Sequence, residues 1–463
     1  MAIIASPSLM LGTARASITP PAGAMLSGFV ARAEPMLGVH DDLHARAVVL
    51  SDGESTSAPV GLLVLDLIGL DAGLVAAIRR RAAELVGLPQ LTDRLAVTAT
   101  HTHSGPAAIL GARLGSVDPA YRDSLVQTGA EVVAAAARDL QPVRGWFGLG
   151  QESSVGKNRR LAGGPIDADV PVIRFDTVDG HVRCVLVSYA CHPVTLGPNN
   201  RFVSADYPGY VVRSLEALYR SAQAVFLTGC CGQINTGHSA HASLSVERPG
   251  QNEDPGALRS FAEAERLGRI LAGAAVQAAE RAAPPGGAPL AVLGPGAPVR
   301  AARREVDLAL LSVDPPDELR RQAALWREQA ADLLRSGATG EARLMEASAE
   351  WADAIAGISH PPQTVRAEVM ALVVADLTLV LLPGEPFVEL GQAVKQGATQ
   401  PVLVLGYANG SPGYVPHRSA YAEGGYEVVE AHRFYGQPAA FAPEAGERLV
   451  EAALDLIEQA QAG

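Results

Sequence analysis

The sequence predicts an α/β protein, and three observations carry that expectation. Apolar, β-branched runs alternate with stretches of helical spacing through the first third of the chain. Several of those runs stop at glycine or proline just where a histidine or a carboxylate appears. The composition, 48% hydrophobic and 19% charged over 463 residues, supports a large core.

The chain is organised around residues 95–106, Leu-Ala-Val-Thr-Ala-Thr-His-Thr-His-Ser-Gly-Pro. The apolar run reads as a buried strand that Gly105-Pro106 stops. Residues two apart on a strand share a face, so His101 and His103 are expected to project together from its end. Two imidazoles presented this way can serve one metal ion, or one metal and one substrate. A bare His-x-His also fits a pair of hydrogen-bonded loop histidines. Ser104, next in line, is expected on the opposite face.

The remaining elements follow in order. Residues 14–21 form a short strand that runs into Pro20-Pro21, and 23–29 a loop. Residues 43–50 form a strand turning at Ser51-Asp52-Gly53, and 59–67 an apolar strand ending near Asp66. Residues 74–86 have helical spacing with a basic face, Arg79-Arg80-Arg81, and 121–140 form an Ala-rich helix. Lys157-Asn158-Arg159-Arg160 is placed in a polar loop. The strand 183–190 runs into Cys191-His192-Pro193, repeating the pattern of the first site. A helix over 210–219 follows, then a buried strand, 224–228. That strand opens into the glycine-rich turn 229–237, whose N–H groups could approach a ligand oxygen, although an ordinary strand-to-loop corner reads the same way. Residues 284–298 are Pro- and Gly-rich and read as a surface connector. Residues 315–355 are charged, Ala-rich and helical, broken at 337–340, which reads as a peripheral hairpin. Residues 364–382 form two strands leading into Pro383-Gly384-Glu385. A strand at 402–405, a tyrosine-bearing segment with Tyr414, Tyr421 and Tyr426, and an amphipathic helix over 443–459 complete the chain.

The net charge of -12 argues against nucleic acid as a partner, since no basic stripe replaces phosphate counterions. No apolar run is long enough to span a bilayer. The first eleven residues carry no Lys or Arg before a mildly apolar stretch, a poor secretory signal. Cys184, Cys191, Cys230 and Cys231 include an adjacent pair that rarely forms a disulfide. A reduced, cytoplasmic protein is the expectation.

Taken together, the motifs resemble the neutral/alkaline, non-lysosomal ceramidase family. The resemblance rests on Ala99-Thr100-His101-Thr102-His103-Ser104-Gly105-Pro106, on Ser17-Ile18-Thr19-Pro20-Pro21, and on Asn158-Arg159. It continues through His192-Pro193-Val194, Ser204-Ala205-Asp206 with Gly209-Tyr210, Pro383-Gly384-Glu385-Pro386-Phe387, and Gly413-Tyr414-Val415 with residues 421–426. The order of these motifs across nearly the whole chain makes the match specific.

The resemblance implies a catalytic Zn²⁺ held by His101, His192, Glu385 and Tyr414. It leaves His103 to move a proton or bind an oxyanion, and sets Arg159 to face the substrate. The family's ceramidases carry a catalytic serine in the turn after the strand corresponding to 224–228, and Asn235 stands at that position here. They also carry a C-terminal immunoglobulin-like domain and an export signal, neither of which is recognisable in this sequence. The expectation is therefore an α/β layered sandwich of mixed β-sheets flanked by helices. It forms one catalytic domain over 1–463, with a helical hairpin inserted at 315–357. The expected activity is zinc-dependent cleavage of an N-acyl amide bond in a small soluble substrate by metal-activated water. Asn235 would orient substrate or oxyanion. An esterase or lactonase using the same site, and a non-catalytic zinc-binding scaffold, are the alternatives. Barrel-type metal hydrolases also use His-Thr-His, but their eightfold βα repeat is not found. A homo-oligomer is compatible with the sequence.

Overall fold

The computed structural model describes residues 9–53, 58–239, 259–283, 292–293 and 299–462. The connector expected at 284–298 lies almost entirely outside these residues, as do residues 1–8.

The larger sheet holds β1 (Met10–Ser17), β2 (His44–Ser51), β3 (Val60–Leu65), β4 (Leu95–Ala99), β5 (Gln141–Gln151), β6 (Asp169–Thr177), β7 (Val182–Tyr189) and β8 (Gln223–Thr228). Its order is β8-β7-β6-β5-β1-β2-β3-β4, and Val292–Leu293 pairs with β5. The smaller sheet runs β9 (Val299–Ala309), β10 (Thr364–Val374), β11 (Leu377–Leu381), β12 (Val402–Leu405). Both are mixed, as expected. Helices α1 (Ala72–Val86) and α2 (Pro119–Arg138) cover one part of the large sheet, and α3 (Asp206–Leu218) and α4 (Phe261–Ala282) another. The last helix, α8 (Ala445–Ala462), covers the small sheet.

The layers follow from which faces are apolar. Leu62, Val64, Ile173, Leu186 and Val225 of the large sheet pack against Met370, Leu372, Leu379 and Leu403 of the small one. On α1, Leu74, Val75, Ile78 and Ala82 recur at helical spacing and face Leu63, Leu65 and Val97. Leu449 and Leu456 of α8 meet Val369 and Val380. The result is helix, sheet, sheet, helix: strands β3, β4, β7, β8 and β11 are buried on both faces and read as continuous apolar runs. Arg79 departs from the basic face expected on α1. It is buried, and its two terminal nitrogens bond both Glu368 oxygens at 2.9 and 2.7 Å.

Three parallel pairs position the site. They are β3 with β4, β7 with β8, and β11 with β12. Parallel partners finish on the same side, and ligands in α/β sheets gather beyond those carboxyl ends. The segment 405–409 stitches the ends together. Gly406 N–H donates to Thr228 O at 3.0 Å, Ala99 N–H to Tyr407 O at 3.1 Å, and Leu382 N–H to Leu405 O at 2.8 Å. Asn409 then bonds Val97 twice, N–H to O at 2.8 Å and Oδ1 from N–H at 3.0 Å.

Beyond the expected elements, β5, β6, β9 and α4 fill stretches to which the sequence reading gave no structure. Helix α5 (Pro316–Arg335) and α6 (Thr339–Ala356) pack on each other, and α7 (Val388–Gly397) follows the Glu385 turn. Trp351 of α6 donates to Gln437 O at 2.7 Å, and Arg433 lies over both Trp326 and Trp351. That fastens the helical pair to the segment carrying Tyr435. All four cysteines are free and buried.

Candidate metal centre and active site

His101 and His103 do meet, but strand alternation is not the reason. Strand β4 ends at Ala99, and His101 adopts φ +69°. A left-handed, non-glycine backbone is costly, on the order of 1–3 kcal/mol, and persists where surroundings over-determine it. Here His101 N–H donates to Leu67 O at 2.9 Å and its ring lies against Tyr407, centroids 4.2 Å apart. Tyr407 and Asn409 also have positive φ, +56° and +57°. Backbone strain is thus concentrated where the strand ends converge. Ser104 is buried, and its Oγ accepts from Asn200 Nδ2 at 2.9 Å.

Each of the three buried imidazoles has Nδ1 on a backbone carbonyl. His101 Nδ1 lies 2.5 Å from Ile68 O, His103 Nδ1 3.1 Å from Gly28 O, and His192 Nδ1 2.7 Å from Cys231 O and 3.1 Å from Ile234 O. A carbonyl can only accept, so Nδ1 carries the proton and Nε2 is left with a bare lone pair. Those lone pairs point at one another and at a carboxylate. His101 Nε2 is 3.3 Å from His103 Nε2 and 3.3 Å from Glu385 Oε2; His192 Nε2 is 2.9 Å from Glu385 Oε2 and 3.4 Å from Tyr414 Oη. Facing acceptors at this range repel unless a cation sits among them. Zinc bonds of about 2.0–2.1 Å place neighbouring tetrahedral ligands roughly 3.3–3.4 Å apart, close to these separations. Imidazole nitrogens with one carboxylate also suit the ion chemically, so the residues fit. The ring nitrogens of His101, His103 and His192 all lie within 4.8 Å of one another.

Electrostatics agree. Burial, reinforced by the neighbouring imidazoles, holds His103 well below its ordinary range. Burial likewise lowers His192, to about 4. Both rings are neutral at pH 7, as a ligand requires. Burial pushes the Tyr414 hydroxyl well up, with Glu385 adding to the effect.

Arg159 stands beside this group. Its Nε donates to Glu427 Oε1 at 2.7 Å, and Nη2 to Gly232 O at 3.0 Å and Tyr414 Oη at 3.1 Å. Asn235 is placed next to the site but faces its own turn. Its Oδ1 accepts from Gly237 N–H at 2.9 Å and His238 N–H at 3.1 Å, and its Nδ2 donates to His238 O at 2.7 Å. Both polar atoms of this amide, expected to orient substrate or oxyanion, take part in bonds within residues 235–238.

Sequence reading missed four participants. Tyr435 donates its hydroxyl to Glu385 Oε1. Glu427 bonds Arg159 and also Arg160, the latter at 2.8 Å. Gly28, at φ +105°, supplies the His103 carbonyl; a Cβ there would stand 2.5 Å from His103 Nδ1, so only glycine permits the approach. Arg32, lowered by burial to about 9, donates to four carbonyls, His103 O among them at 2.9 Å. None has a local signature beyond the tyrosine-rich stretch.

Comparison with known proteins follows the same lines. Residues 9–241, half of the chain, match the family described as neutral/alkaline non-lysosomal ceramidase, N-terminal, and the chain belongs to that family. A neutral ceramidase of Mycobacterium tuberculosis is 26% identical over 243 residues, covering 47% of this chain and 38% of that protein. One from Drosophila pseudoobscura is 24% identical over 235 residues, covering 47% and 33%. The chain thus matches about a third of the length of these curated relatives. In structure, it is similar to the neutral ceramidase of Pseudomonas aeruginosa with a TM-score of 0.71 at 18% identity, over 98% of this chain and 75% of that one. A ceramidase complexed with C2 gives 0.70 at 17%, over 98% and 76%. At such identity these two establish the fold.

Proposed function

We propose that this chain is a zinc-dependent amidohydrolase that cleaves an N-acyl amide bond of a small, polar substrate by attack of water. The observation that carries the reading is the tautomer lock. Three imidazoles donate Nδ1–H to carbonyls, and their Nε2 lone pairs converge with the Glu385 carboxylate. We assign His101, His192, Glu385 and Tyr414 as the residues that hold the ion. A zinc ion there would acidify a water molecule and polarise the scissile carbonyl.

The chain's own residues supply the rest. His103 keeps a free Nε2 lone pair and a fixed Nδ1–H, so it accepts the proton from attacking water and returns it to the departing amine. Water adds oxygen to the acyl carbon, the C–N bond breaks, and carboxylate and amine leave. Arg159 remains charged beside the Tyr414 hydroxyl and stabilises negative charge developing on the acyl oxygen. No serine takes part: Asn235 stands where the family's ceramidases carry theirs, and the Ser104 hydroxyl is turned to Asn200. Asn235 acts as a positioning residue that closes the turn after the Ile234 carbonyl on which His192 rests.

The test is metal content and turnover of wild type and His192→Ala on short N-acyl amides. Wild type is expected to bind one zinc and His192→Ala to lose both zinc and activity. Full zinc and activity in the variant would overturn the assignment. A burst of first product, or a mass increase matching an acylated serine, would overturn the water mechanism.

A further inference from the structure

A cavity of about 630 Å³ opens beside the metal group, within the usual range for small ligands. Its lining runs against the rest of the molecule. In a chain of net charge -12 its described lining includes Lys157, Arg159 and Arg160, and no aspartate or glutamate. Among the described residues, Ala162 and Ile166 are its only apolar side chains; glycines and small polar residues make up much of the remainder. Such walls give little purchase to a long hydrocarbon chain.

The charges there are incompletely balanced. Glu427 alone bridges Arg159 and Arg160, one oxygen to each, at 2.7 and 2.8 Å. Glu423, largely exposed, reaches Arg160 at 3.5 Å. Lys157 makes no ion pair within 4 Å among the described residues, and its side chain extends toward Gly237, whose missing Cβ leaves room beside it. Glu263 is close enough to feel Lys157, but Arg266 already occupies both its oxygens at 2.7 Å. Arg159 ties the cavity to the centre: the residue lines the cavity, and its buried side chain reaches Tyr414. A cationic recess in an acidic surface concentrates anions locally.

We propose that this cavity receives an oxyanion group, carboxylate or phosphate, carried by the substrate on the far side of its acylamide bond, with Lys157 as the residue that selects it. The inference rests on the acylamide reading above and deepens it: the substrate is an anionic N-acyl compound.

The experiment has two parts. The zinc-loaded enzyme is assayed on N-acetylglycinate, N-acetylglycinamide and the O-phosphate of N-acetylethanolamine, and the better anion identifies the source. The kcat/KM ratio of anion to neutral amide is expected to exceed about tenfold, and to fall by about tenfold or more in Lys157→Glu and Lys157→Gln, in line with one charge-assisted hydrogen bond. Calorimetric titration of the zinc-free protein with the same anions reads binding without turnover. Wild type is expected to bind, more weakly as salt rises, and Lys157→Glu not to. Preference for the neutral amide, or a ratio unchanged in both variants, overturns the proposal while leaving the hydrolase reading intact. Anion binding lost in Lys157→Glu without hydrolysis of any acylamide supports this site and overturns the hydrolase reading. No anion binding and no preference for either anion overturns it.

Discussion

The two walls of the centre are built by different means. On one wall, His101, His103 and His192 are oriented by main-chain carbonyls at the ends of buried parallel strands. On the other, Glu385, Tyr414 and Arg159 are oriented by other side chains: Tyr435 on Glu385, Glu427 on Arg159, Arg159 on Tyr414. A carbonyl clamp moves only if the main chain that carries it moves. A side-chain clamp can be removed by one substitution that leaves the fold untouched. The histidine wall is therefore a property of the architecture, and the carboxylate wall a property of particular residues drawn from 159 to 435.

The largest effect should come from breaking the point where the walls meet. Glu385→Ala removes the carboxylate that faces His101 and His192; loss of stoichiometric zinc and of essentially all activity is expected, read by metal analysis and kcat/KM. Next comes the histidine wall under acid. In the zinc-free protein His192 is neutral down to about pH 4, whereas unfolded histidine protonates near 6.5. Its stabilisation is complete above pH 6.5 and lost as pH falls toward 4, worth on the order of 3 kcal/mol. Urea unfolding from pH 7 to 4 should show that slope, flattened in His192→Gln. Gly28→Ala then tests the carbonyl clamp itself. The added methyl drives into the His103 ring, so kcat/KM should fall roughly 10- to 100-fold with zinc retained. If zinc is lost with it, His103 belongs among the ligands. The smallest change should be Tyr435→Phe, which leaves Glu385 in place but removes its donor. About tenfold weaker zinc affinity is expected, measured by competition with a chelator.

The same division explains what could be read from sequence. Residues 95–99, 224–228 and 402–405 are apolar runs whose burial follows from composition, and the structure has strands there. The expected helices over 74–86, 121–140 and 443–459 correspond to α1, α2 and α8 with ends displaced by up to a few residues. His101, His103, His192 and Glu385 each follow a strand end, Tyr414 lies beside Glu385 in a two-residue parallel pairing, and the fold brings all five together. What escaped was geometry without a local signal. The turn at His101 depends on Tyr407, more than 300 residues away. The Tyr435–Glu385 and Arg159–Glu427 pairs link residues 50 and 268 apart. Strand β5 escaped because Gly145, Gly148 and Gly150 interrupt its pattern. Two of them make way for α4, where a Cβ on Gly148 would stand 2.4 Å from Ala278 O.

The turn at Asn235 is closed by a single side chain. The side chain satisfies Gly237 N–H, His238 N–H and His238 O at once. A serine is too short to serve all three, and unpaired buried main-chain groups are costly. An Asn235→Ser exchange on its own would give the chain a hydroxyl and undo the turn that carries it. The side chain at position 235 is therefore tied to the main chain of residues 235–238 as one unit.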